Sequence, residues 1–156
     1  TFSYNNSNGR FVLVIFVHMA VLIGLDFGLK RTGIAVTDTL QLIASPLEMI
    51  PTENLMDWLR LYETSHKVGG IVIGFPISLS GEDTHITQNV RWFKEDLEKV
   101  FPNIPVYFQD ERHSSQRAAE TIHHVGKKKH GRNKGIIDKV SAAIILQDYL
   151  NERSSY

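Results

Sequence analysis

An α/β domain, with helices on the faces of a mixed sheet, is the fold class the sequence predicts, and three observations predict it. Strand-length apolar runs alternate with amphipathic helical segments in the order β-β-β-α-β-α-β-α-α. The first three runs are joined by links too short for a crossover, whereas the later ones are separated by helices. A chain of 156 residues, 42% hydrophobic and 22% charged, can bury one full core and is neither fibrous nor disordered in composition.

Residues 21–27 (VLIGLDF) are an apolar run closed by Gly28 and read as a strand. Residues 32–38 (TGIAVTD) are a second strand, and residues 42–50 a third, broken by Pro46. The links at 28–31 and 39–41 make these three an antiparallel meander. Leu55, Leu59 and Tyr62 stand at helical spacing and predict a helix over 53–66. Residues 70–75 (GIVIGF) are a continuous apolar strand of the kind buried on both faces. The clearest helix covers 85–100, with Ile86, Val90, Phe93 and Leu97 on one stripe and charges opposite. Trp58, Trp92 and Phe93 lie on such stripes and read as core rather than as base-stacking platforms. Pro102 and Pro105 bracket the exit into a strand at 106–109. Ser114 can cap a helix that Gly126 stops, the basic stretch 127–134 reads as a loop, and a last helix runs from about 136 to 150. No repeat, linker or low-complexity tract divides this pattern, so residues 19–153 are expected to form a single domain.

Residues 1–18 stand apart. The run FVLVIFV follows Arg10, but His18 and Asp26 interrupt it short of the roughly 20 residues a membrane span needs. No small-x-small cleavage motif follows. Met19 opens the globular pattern, and His18-Met19 is the dipeptide a cloning site leaves at a start codon. Residues 1–18 are therefore expected to be a non-native leader, and no membrane partner is expected.

Total charge selects no partner, because 17 Lys and Arg balance 17 Asp and Glu. Its distribution is informative. Between 112 and 139 eight basic residues (Arg112, Arg117, Lys127, Lys128, Lys129, Arg132, Lys134, Lys139) face two acids, Glu120 and Asp138. The absence of Cys excludes disulfide scaffolds, thiolate metal sites and Cys nucleophiles.

In an open sheet with helical crossovers, sites form beyond the carboxyl ends of strands. Carboxylates from three places could meet there. Asp26 ends the first strand, Asp110 and Glu111 end the last, and Asp138 stands in the first turn of the final helix beside the small Ser141 and Ala142. Singly, each has a plain reading as a turn former, a helix-dipole partner or a solvated acid. Gathered, they would repel, and a divalent cation is the usual reason to gather them. Oxygen ligands without Cys or paired His favour Mg²⁺ or Mn²⁺ over Zn²⁺. Such a site beside a basic segment points to phosphodiester chemistry. Gly24, Gly28 and Gly33 either let a ligand approach the first hairpin or shape its turn. Gly74-Phe75-Pro76 leads into a polar loop, 77–84, read as facing substrate. His113, His123, His124 and His130 lack ligand spacing and read as surface residues.

Four segments in order then resemble a known family. GLDFGLKRTGIAVTD at 24–38, IVIGFP with its following Gly81, DER at 110–112 and NKGIIDKVSAAIILQDYL at 133–150 closely resemble the YqgF family, also called RuvX, bacterial proteins likened to Holliday junction resolvases. The resemblance runs from about residue 20 to 152. It implies an RNase H-like fold and a cytoplasmic, metal-dependent nuclease of ribosome biogenesis that processes the 5′ end of pre-16S rRNA. Resolution of branched DNA, which would need a homodimer to cut two strands symmetrically, is the alternative. A largely non-catalytic RNA-binding assembly factor is the third reading. The resemblance implies Asp26, Glu111 and Asp138 as the catalytic, metal-binding acids, with Mg²⁺ or Mn²⁺ as the cofactor. On that reading Lys30, Arg31 and Arg112 position phosphates. The basic loop (Lys127, Lys128, Lys129, Arg132, Lys134) overhangs the site, because it leads directly into the helix carrying Asp138. Two departures, DERHSS in place of the family's DERLTT or DERLST and a Pro76 loop without the usual Asn-Met-Asp run, bear on substrate preference and touch no proposed ligand.

Overall fold

In the computed structural model, residues 2–5, 11–14, 20–76, 83–110 and 133–154 are described. Two short strands, β1 (Phe2–Asn5) and β2 (Phe11–Val14), pair antiparallel with each other. The meander follows as β3 (Val21–Phe27), β4 (Arg31–Thr37) and β5 (Ala44–Pro51). A single 3-10 turn (Thr52–Asn54) leads into α1 (Leu55–Ser65), then β6 (Val68–Phe75), α2 (Thr87–Val100), β7 (Val106–Asp110) and α3 (Asn133–Arg153). Among the described residues the main sheet has the order β5-β4-β3-β6-β7. The meander is antiparallel, and β6 and β7 run parallel to β3.

Strand alternation sorts the core into two layers. Ile23, Leu25, Ile34, Ile71 and Ile73 point to one face, where Leu55 and Leu59 of α1 and Val90 and Leu97 of α2 cover them. Leu22, Ala35 and Val72 point to the other, where Ala142, Ile145, Leu146 and Leu150 of α3 cover them. Because β3 and β6 are covered on both faces, they read as unbroken apolar runs rather than as alternating ones.

Three of the departures from the sequence expectation have a clear physical reason. β5 begins at Ala44 rather than 42 because the Asp38 carboxylate accepts the N–H groups of Leu40, Leu42 and Ile43 at 3.0, 2.8 and 2.8 Å, extending the turn. Those donors, Ile43 and Leu42 foremost, hold the Asp38 carboxyl below the usual carboxylate range. Pro46 does not break β5: the strand lies at the sheet edge, and the register slips so that Ile34 faces Glu48 and Ala35 faces Pro46, with Leu47 as the extra residue. α3 begins at Asn133 rather than 136, since Gly135 costs a helix only about 1 kcal/mol. Asp138 therefore falls in its second turn, not its first. Trp92 corrects another expectation. Two residues past buried Val90, it falls on the outer side of α2 and is 57% exposed, whereas Trp58 and Phe93 pack against the core. The helix expected after Ser114 and most of the basic loop lie outside the described residues.

Candidate active site

Because β3, β6 and β7 are parallel, their carboxyl ends share one edge of the sheet. Asp26 is the next-to-last residue of β3, half-buried and opposite Gly33 of β4. Asp110 is the last residue of β7, half-buried and opposite Phe75. Gln109 before it is buried, and its side-chain amide donates to Glu152 of α3 at 2.9 Å. Sequence reading missed that tie, since nothing local links positions 43 residues apart.

α3 brings the remaining acid. A Cβ on Gly24 would stand 2.6 Å from Leu146 Cβ and 3.0 Å from the Ala142 carbonyl oxygen, so the helix rests on bare backbone there. This glycine thus serves helix packing, neither a ligand nor a turn. Further along, Gln147 accepts the Ala44 N–H at 2.9 Å, and Arg153 donates at 2.9 Å to Gln41, whose own amide donates to the Ala20 carbonyl at 2.7 Å. These tie points move from the middle of β3 toward its start as the helix proceeds. The helix's first turns therefore lie toward the carboxyl edge. Positions 138, 142 and 146 form one helical row, and Asp138 is one turn beyond Ala142 in it. Asp26 is two residues beyond Gly24 on the same face of β3. The backbone brings these two positions toward one another. The Asp138 side chain and the whole of Glu111, the residue after Asp110, lie outside the described residues.

The expected phosphate contacts divide similarly. Lys30, on the turn after β3, and Arg31, the first residue of β4, are exposed at the same sheet edge as Asp26. Arg112, Lys127, Lys128, Lys129, Arg132 and the Lys134 side chain lie outside the described residues, as do His113, His123, His124, His130 and residues 77–82. Both flanks of 77–82 are anchored. On the far side, Arg91 makes two contacts to Asp83, at 2.5 and 3.1 Å, and this hydrogen bonding holds the Asp83 carboxyl below its ordinary value. On the near side, the buried Thr87 hydroxyl donates to the Pro76 carbonyl at 2.7 Å.

A divalent cation fits the donor chemistry of this edge: half-buried carboxylates, all hard oxygen, in a chain without Cys. Among the described residues no three His, Asp or Glu form a metal-holding group, and Asp26 is the one expected ligand whose side chain is described.

A family profile described as "RuvX: Holliday junction resolvase" matches residues 20–152. The chain belongs to the RuvX family. Among its relatives, a protein of Bacteroides thetaiotaomicron named as a pre-16S rRNA nuclease is 42% identical over 136 residues, 86% of this chain and 99% of that one. A protein of the same name from Flavobacterium johnsoniae is 41% identical with the same coverage. Membership makes the chain a nuclease, a hydrolase of phosphodiester bonds. Thermus thermophilus RuvC, solved in complex with a Holliday junction substrate, superposes with a TM-score of 0.53 at 16% identity, covering 86% of this chain and 96% of that one. That likeness is one of fold, and it bears out the RNase H-like arrangement. No helix among the described residues is long and apolar enough to cross a membrane.

Proposed function

We propose that this RuvX-family chain processes the 5′ end of pre-16S rRNA in the bacterial cytoplasm, with Asp26, Glu111 and Asp138 as ligands for Mg²⁺ or Mn²⁺. The observation that carries the reading is the seating of α3 on Gly24, which runs the row of Asp138 toward the strand end of Asp26. The relatives' name supports the substrate. Held by Asp26, Glu111 and Asp138, a divalent cation would supply the Lewis acidity that phosphodiester hydrolysis needs at the attacking water and the leaving oxygen. The protein's part is positional. Asp26 supplies fixed negative charge from a rigid central strand, and Lys30 and Arg31 neutralise backbone phosphates beside it and set the register of the bound strand. Arg112 and the basic loop extend that contact.

The test is cleavage by the purified chain of a pre-16S fragment and of a four-way DNA junction, with Mg²⁺, Mn²⁺ or EDTA. Cleavage of the RNA at its mature 5′ end, abolished by EDTA, is the expected result. Preferential cutting of the junction by a homodimer would establish the resolvase reading instead, and binding without cleavage the assembly factor.

The basic loop gives a second expectation. Replacing Lys127, Lys128 and Lys129 with Ala should flatten the log–log salt dependence of binding by roughly two to three units and weaken RNA and DNA binding alike. Base or structure preference should hardly change, because phosphate contacts carry no sequence information. Equal slopes for the two proteins would mean that the loop points away from the nucleic acid.

A further inference from the structure

The turn that carries Lys30 and leads into Arg31 is gripped from outside by one residue. Thr52, first in the 3-10 turn after β5, donates its hydroxyl to the Gly28 carbonyl at 2.5 Å and its N–H to the Lys30 carbonyl at 3.1 Å. The Thr32 hydroxyl lies 2.9 Å from Thr52 Oγ1. Thr52 has one hydroxyl proton and spends it on Gly28, so Thr32 is the donor of that pair. Thr32 is fully buried and sits opposite Phe27, next to Asp26 in the ladder. The grip thus reaches from Thr32, opposite the end of β3, to the Gly28 and Lys30 carbonyls of the turn. The turn itself has no slack, since a Cβ on Gly28 would stand 2.5 Å from the Arg31 carbonyl oxygen.

Lys and Arg each carry considerable side-chain freedom, and a mobile backbone beneath them would add to the entropy lost when they meet phosphates. We infer that Thr52 is a positioning residue for substrate: by clamping the turn at Gly28 and Lys30 it holds the bases of Lys30 and Arg31 at a fixed offset from Asp26. The inference rests on the reading that these two cations contact phosphate. A sheet-edge fastener would look the same in the structure, yet it would behave differently in kinetics. Loss of a fastener reduces the folded fraction and hence the apparent kcat. Loss of a positioning clamp weakens substrate binding.

The experiment uses the full chain in four forms: Thr52→Val, Thr52→Ser, Lys30→Ala with Arg31→Ala, and that pair combined with Thr52→Val. KM and kcat are measured on the pre-16S fragment, and binding of that RNA is measured against salt. Thr52→Val should raise KM about three- to tenfold, the range of one hydrogen bond, with kcat within about twofold. Its salt slope should flatten by about one unit. Thr52→Ser, which keeps the hydroxyl, should restore KM to within about twofold of the parent. In the double-alanine background Thr52→Val should change KM no further, because the clamp acts only through those cations. An unchanged KM in Thr52→Val, a fall confined to kcat, or a full effect persisting without Lys30 and Arg31 would each overturn the inference. If the double-alanine protein itself kept the parent's KM and slope, the phosphate reading of the turn would fall and the clamp with it. A silent Thr52→Val beside a defective double-alanine protein overturns the clamp alone. Thr52→Ala replaces Thr52→Val in every comparison should the valine methyl groups disturb folding.

Discussion

Asp26→Asn is expected to abolish cleavage, by about a thousandfold or more, while leaving nucleic-acid binding within about twofold of the parent. The amide matches the carboxylate in shape, so the half-buried position in β3 should accept it without repacking. What it lacks is the full negative charge that oxygen ligands need to hold a divalent cation. Binding should survive, because phosphate affinity comes from Lys and Arg counter-charges rather than from the acid. Single-turnover cleavage and a binding isotherm on the same RNA check both halves. Undiminished cleavage with Mg²⁺ present would remove Asp26 from the site. A parallel loss of binding and melting temperature would show that the substitution had damaged the fold instead.

Much of this architecture is legible in the residues because it depends on local chemistry. β6 is announced by a run so apolar that both of its faces must be covered. The meander is announced by links too short to cross over. What local patterns could not show is contact between distant positions. Gly24 is one small residue among several in a hairpin, and nothing near it indicates that the Ala142 carbonyl will rest against it. Thr52 has the same character: it follows a strand, as many threonines do, and its partners lie 20 and 24 residues earlier. Trp92 was misplaced for a related reason. α2 has apolar residues on more than one side, and only the packed helix reveals that the buried row passes through Thr87, Val90 and Leu97. The candidate site was legible to the extent that its acids stand at element ends, where sequence punctuation is strongest. Asp110 and Asp26 appear where their strands stop, whereas the true start of α3 shifted Asp138 by a turn because one glycine does not end a helix.

The second large effect is expected at Gly24. Adding a single methyl group, Gly24→Ala, should destabilise the protein by about 1–3 kcal/mol, the range for an overfilled core. The atoms in the way decide the sign. They are Leu146 Cβ at 2.6 Å and the Ala142 carbonyl oxygen at 3.0 Å, both fixed to the helix backbone, whereas the flexible Leu146 Cδ2 is more distant at 3.2 Å. The tip can rotate away, but the other two can yield only if α3 moves off the sheet. Buried Ala142, Ile145 and Leu146 would then lose contact with Leu22, Ala35 and Val72. Catalysis should suffer beyond stability, because Asp138 lies one turn further along the displaced row, and an error of about 1 Å in a positioned group can cost a hundredfold. Cleavage measured well below the melting transition, where the protein is fully folded, should therefore still be reduced by about a hundredfold. Leu146→Ala offers a control with a definite expectation. It removes Cδ2 but keeps Cβ, so the double variant should be no better than the sum of the two single changes. If Gly24→Ala kept both its melting temperature and its activity, α3 would not be seated on β3 at this point, and the convergence of Asp26 and Asp138 would lose its structural basis.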